Sequence, residues 1–144
     1  SDIFSLGMMA FELLAGDLPR ATSALDHAMR RARELGACDL EGRFLAITAT
    51  ARFAGGDHDG AWDGVVKAEY LLRSDAPHGS FDLAEALTRR AHIELARRAH
   101  DTARATAHQV HQILADLGPP PVALRRQLVE LHHGLGLSLP TFAG

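Results

Sequence analysis

The feature that most constrains this chain is a Gly-Asp turn followed by small residues on one helical stripe. Gly16-Asp17 precedes Ala21, Leu25 and Ala28, and the arrangement recurs with Gly56-Asp57 preceding Ala61, Val65 and Ala68. A weaker copy places His100-Asp101 before Ala105. A bend at regular intervals followed by small residues at i, i+4 and i+7 marks stacked helical hairpins, each too thin to bury its apolar face alone. An all-α chain built as an α-solenoid of antiparallel hairpins, with about seven helices, is therefore expected.

Composition agrees. Aromatic residues make up only 6% of the 144 residues, against 47% hydrophobic residues in all, so much of the apolar content is small or aliphatic. Alanine has the best helix propensity and lets helices approach closely. No segment alternates as a strand would.

The pattern predicts hairpins at about 2–35, 39–73 and 81–117, a closing helix at 122–133, and a tail over 134–144 laid back over the core. Residues 1–133 form one repeat domain in this reading. The segment 2–15 is apolar nearly all round, with Ile3, Phe4, Leu6, Met8, Phe11, Leu13 and Leu14, which predicts burial on more than one side. Gly16, Gly36 and Gly55-Gly56 stop helices, and Gly118 with three prolines makes another stop.

The net charge of −3 supplies no field for nucleic acid or an anionic membrane. Cys38 is the single cysteine, so no intrachain disulfide is possible and the cytoplasm is the expected compartment. No apolar run reaches the ~18 residues of a membrane span, and no basic-then-apolar leader opens the chain. Beginning at Ser1 without a methionine, the sequence reads as part of a longer protein.

The hairpin pattern resembles the tetratricopeptide repeat. That family places Gly-Asp-like residues in the turn, alanine about five positions later, a bulky residue four further on and another alanine after three. Gly16, Ala21, Leu25 and Ala28 follow it, as do Gly56, Ala61, Val65 and Ala68. In the third unit Ala105 fits, whereas Gln109 and Gln112 stand where apolar residues belong. The Trp-Leu-Gly-Tyr markers of the first helices are missing, and the turns are 40 and 44 residues apart, where the family has about 34. The likeness spans about two thirds of the chain. It is similar to the helical repeats at the C-terminal ends of large bacterial signalling proteins, including LuxR-type regulators and kinase-linked ATPases. The resemblance implies a protein-protein interaction module of a signalling or transcription-regulatory protein, holding a peptide or a neighbouring domain in a groove.

A second resemblance is confined to about twenty residues. Ser1-Asp2-Ile3-Phe4-Ser5-Leu6-Gly7, then Phe11-Glu12-Leu13-Leu14, Gly16 and Pro19, is similar to the central buried helix of Ser/Thr protein kinases. By that likeness Asp2 would brace a catalytic loop, and the alternative reading is a kinase C-terminal fragment joined to helical repeats. The phosphate-binding and catalytic parts of a kinase have no counterpart here, so no enzymatic activity is expected of this chain. A buried first helix ending in a turn accounts for the same residues.

Side chains that carry chemistry have plain explanations in the pattern. His100, His108 and His111 share one sector of a helix, but with Arg104 among them and no cysteine the sector reads as a polar solvent face rather than a metal site. His132 and His133 are adjacent and point about 100° apart on a helix. Asp57, Asp59 and Asp63 gather at a helix start, where capping and the helix dipole favour acids. No catalytic residue, metal site or cofactor is expected.

Arginines are more suggestive. In the repeat register, Arg43, Thr50 and Phe53 of the second pair and Arg90, Glu94 and Arg97 of the third fall on the groove side. Arg90, Glu94 and Arg97 at i, i+4 and i+7 present two guanidinium groups around a carboxylate, a set suited to an acidic protein or peptide partner. An intrahelical Arg–Glu pair on a solvated face explains the same spacing.

Overall fold

A computed structural model describes residues 18–142, the side chains of residues 18, 19, 21 and 22 aside. The helix expected at 2–15, the turn at Gly16, the side chain of Ala21 and the kinase-like stretch up to Gly16 lie outside the described residues.

Among those residues every regular element is a helix: α1 (Leu18–Glu34), α2 (Cys38–Ala54), α3 (His58–Asp75), α4 (Phe81–Ala96), α5 (His100–Leu117) and α6 (Val122–Leu135). They fall into two compact units, one ending at Asp75 and the other beginning at Ala76.

In the first unit α2 packs against both α1 and α3. Its buried residues, Gly42, Phe44, Ala46, Thr48, Ala49 and Ala51, accordingly run round the helix instead of along one stripe. Phe44 joins Leu25, Ala28, Met29 and Ala32 of α1 in an apolar cluster. On the α3 side the approach is close. A Cβ added at Gly42 would lie 2.8 Å from Leu72 Cγ and 3.3 Å from the Ala68 carbonyl, and one added at Gly64 would lie 3.3 Å from Ala49 Cβ. Ala61, Val65 and Ala68, the expected contact stripe, are fully buried.

In the second unit α4 pairs with α5, and α6 packs against both. Ser80 caps α4 by accepting the Leu83 amide at 3.1 Å. The core is Leu83, Leu87 and Ala91 from α4, Ala103, Ala107 and Val110 from α5, and Leu124, Leu128 and Leu131 from α6.

The α2–α3 and α4–α5 hairpins correspond position by position at an offset of 42 residues. After α2 the Asp57 amide donates to the Arg52 carbonyl (2.9 Å) and the Gly56 amide to Phe53 (3.1 Å). After α4 the Ala99 amide donates to Glu94 (2.9 Å) and the Arg98 amide to Leu95 (2.9 Å). Both are Schellman turns, in which a residue with positive φ turns the chain back to satisfy the last helical carbonyls. That residue is Gly56 in one (φ 92°) and Arg98 in the other (φ 62°). The buried positions correspond too: Ala61 with Ala103, Val65 with Ala107, Ala68 with Val110 and Leu72 with Leu114.

This register corrects the third copy of the motif. Ala105 is exposed, and the buried stripe is Ala103, Ala107 and Val110. His100-Asp101 corresponds to His58-Asp59 at the start of a helix, not to the Gly56-Asp57 turn. The turn itself is two residues earlier, where an arginine hides it. Gln109 and Gln112 therefore do not occupy the apolar positions.

Candidate functional site

The arginine-bearing stripe of α4 is only partly open to solvent. Glu94 is 3% exposed. Its Oε1 accepts a 2.6 Å hydrogen bond from the Thr106 hydroxyl of α5, while Oε2 lies 3.6 Å from Arg90 Nε and accepts no hydrogen bond. The same Thr106 hydroxyl is 3.1 Å from the Thr102 carbonyl. Glu94 thus faces into the hairpin and holds Arg90 against it, so the carboxylate is not presented to a partner. On the same helix Arg89 is paired with Glu85 at 2.7 Å.

Two further arginines stand where α4 ends. Arg97 is the C-cap residue and Arg98 the left-handed residue of the turn, and both are exposed. A β-carbon in the left-handed region costs roughly 1–2 kcal/mol. Three other helix ends place glycine at this position, Gly36, Gly56 and Gly136. Among the described residues only Arg98 keeps a side chain at a positive φ.

Arg43, Thr50 and Phe53 lie on α2 in the first unit. Arg43 is half-buried, and Thr50 is exposed with its hydroxyl donating back to the Ala46 carbonyl at 3.1 Å. Phe53 stacks on His58 across the turn, ring centres 4.6 Å apart and planes at 23°. Asp57 caps α3 by accepting the Gly60 amide at 2.9 Å, which accounts for one acid of the Asp57, Asp59 and Asp63 group.

The histidines are arranged differently from the sequence expectation. His100 and His108 are exposed, but His111 turns inward and meets His132 of α6, with Nε2 to Nε2 2.7 Å and ring centres 4.9 Å apart at 85°. His132 is buried, and its Nδ1 lies 2.8 Å from the Ser138 carbonyl. A carbonyl only accepts, so Nδ1 carries the proton, and in the neutral ring Nε2 has the lone pair. His111 Nε2–H then donates to it. Burial, with His132 and His108 nearby, lowers the His111 pKa from its ordinary value.

Beside this pair is a cleft of about 280 Å³ whose lining includes His111, Leu114, Gly118, Pro120 and Phe142. Phe142 is held there, with the Arg125 guanidinium 5.7 Å from its ring centre and the Arg125 Nε donating to the Pro120 carbonyl at 2.9 Å. Spacing groups His111 with His100 and His108 and does not point to His132, which sits on a separate helix. Among the described residues no group of three or more His, Cys, Asp or Glu side chains is placed to hold a metal ion. None of the described helices is long and apolar enough to cross a membrane.

Compared with protein-family models, curated proteins and solved structures, the chain has no match.

Proposed function

We propose that this chain is a protein-protein interaction module of the tetratricopeptide-like kind, working within a larger bacterial signalling or transcription-regulatory protein. The observation that carries this reading is the 42-residue correspondence of two hairpins in turn hydrogen bonds and buried stripe. Repetition of one hairpin is how helical-repeat proteins build extended binding surfaces without an active site. The partner is a peptide or neighbouring domain with acidic side chains. Arg97 and Arg98 support that choice, because guanidinium groups at an exposed helix end suit carboxylates. A left-handed arginine where three other helix ends have glycine is a local cost that a binding role explains. The single Cys38 supports a cytoplasmic setting.

The test is a peptide array read by fluorescence anisotropy. Acidic peptides are expected to bind more tightly than neutral ones of equal length, and Arg97→Glu with Arg98→Gly is expected to remove that preference without lowering thermal stability. Arg43→Glu tests the first unit in the same way. Arg90 is left intact, since its reversal would place two carboxylates side by side at Glu94. Equal binding of acidic and neutral peptides, or an unchanged preference in the variants, would overturn the acidic-partner reading.

A further inference from the structure

We propose that His111 and His132 form a binding site for a transition-metal dication of the Zn²⁺, Ni²⁺ or Cu²⁺ class, with both Nε2 atoms as ligands and water in the remaining positions. The two nitrogens, 2.7 Å apart, come from facing helices of one unit, so backbone packing holds them together. Two Zn–N bonds of about 2.0–2.1 Å at a tetrahedral angle put the nitrogens about 3.3–3.4 Å apart. A square-planar cis pair needs about 2.9 Å. Binding therefore requires the two nitrogens to part by about 0.2–0.7 Å.

The surroundings suit a ligand pair. His132 Nδ1–H is fixed on the Ser138 carbonyl, the arrangement that aims a metal-binding histidine by fixing its tautomer. The metal replaces the proton lying between the two Nε2 atoms. Moved to His111 Nδ1, that proton leaves the ring neutral with its Nε2 lone pair free for the metal. A cleft of about 280 Å³ lies against His111, the more exposed of the two rings. Imidazole suits these borderline ions, and at such a site Cu²⁺ should bind tightest.

The experiment uses the chain without an affinity tag at pH 7.5, titrated calorimetrically with ZnCl₂, NiCl₂ and CuCl₂. A saturable site of one metal per chain is expected, weakened at least about tenfold in His111→Gln, since losing even an outer-shell partner costs about 10–100-fold. His108→Gln and His133→Gln, both at exposed positions, should bind as the native chain does. Because His132 is buried and its replacement alters packing, a second readout uses the native protein. Long-range ¹H–¹⁵N spectra should show the His111 proton on Nε2 without metal and on Nδ1 with Zn²⁺. Absence of saturable binding, binding unchanged in His111→Gln, or an unaltered His111 tautomer at saturating Zn²⁺ would each overturn the proposal.

Discussion

The Thr106 hydroxyl donates to the Glu94 carboxylate at 2.6 Å, joining the two helices of the α4–α5 hairpin from inside. In the α2–α3 hairpin the corresponding residues are Gly64 and Arg52, and there Gly64 lets the helices close on Ala49 instead. The same hairpin is thus held by close backbone approach in one unit and by a buried polar contact in the other.

Thr106→Val keeps the shape and removes the donor, leaving a buried carboxylate oxygen without its hydrogen bond. A loss of about 1–3 kcal/mol is expected, measured as a lower urea midpoint at unchanged m-value. Thr106→Ser, which retains the hydroxyl, should recover most of it. A valine variant as stable as the native protein would show that water replaces the bond.

Arg98→Gly should stabilise the protein. Relief of a left-handed β-carbon is worth about 1–2 kcal/mol, offset by the roughly 0.5–1 kcal/mol of extra freedom glycine brings to the unfolded chain. The expected net gain is about 0.5–1 kcal/mol in chemical unfolding. Gly56→Ala at the corresponding turn should cost a similar amount. A loss of stability in Arg98→Gly would mean that the arginine side chain makes contacts worth more than the strain.

That turn also shows what the sequence reveals and what it conceals. Gly36 and Gly56 announced their turns because glycine is the residue that left-handed backbone favours, and the helices on either side followed from apolar spacing. Arg98 carries no such marker, so spacing alone sets the third stripe two residues late, at Ala105 instead of Ala103. By spacing alone Glu94 falls on an open face, for a related reason. Its spacing from Arg90 and Arg97 describes one helix, while its burial depends on Thr106 of the next. The His111–His132 contact is likewise a product of packing between α5 and α6, which periodicity along a single helix cannot encode. Gly42 and Gly64 carry no sign of contact in the sequence, because a glycine inside a helix reads as a weakness unless a neighbouring helix lies against it.

Close approach of α2 and α3 predicts intolerance to added volume. Ala61 is fully buried, and Ala61→Leu should cost about 1–3 kcal/mol by overpacking. Gly42→Ala is the finer probe. Alanine gains up to about 1 kcal/mol of helix propensity, yet its Cβ would lie 2.8 Å from Leu72, a side chain only 1% exposed. The clash should prevail, giving a lower melting temperature in both variants. An unchanged melting temperature for Ala61→Leu would mean that the helices are not in contact there.

Stability should fall as the solution is acidified from pH 7.5 to 5.5, and His92 is a source of that slope. Its Nε2–H donates to the Gln127 carbonyl at 3.1 Å on a half-buried ring. Burial lowers its pKa from the ordinary 6.5, outweighing the Gln127 carbonyl and Glu130, which act the other way. The folded protein therefore binds this proton less readily than the unfolded chain. The stabilisation is complete above pH 6.5 and declines as pH drops through 6.5 towards the lowered folded value, then levels off. His111 is shifted in the same direction and adds to the slope. His92→Gln keeps a donor for the carbonyl but does not titrate, so its urea midpoint should change less between the two pH values than that of the native protein. Parallel pH dependence in the two proteins would assign the slope to other groups.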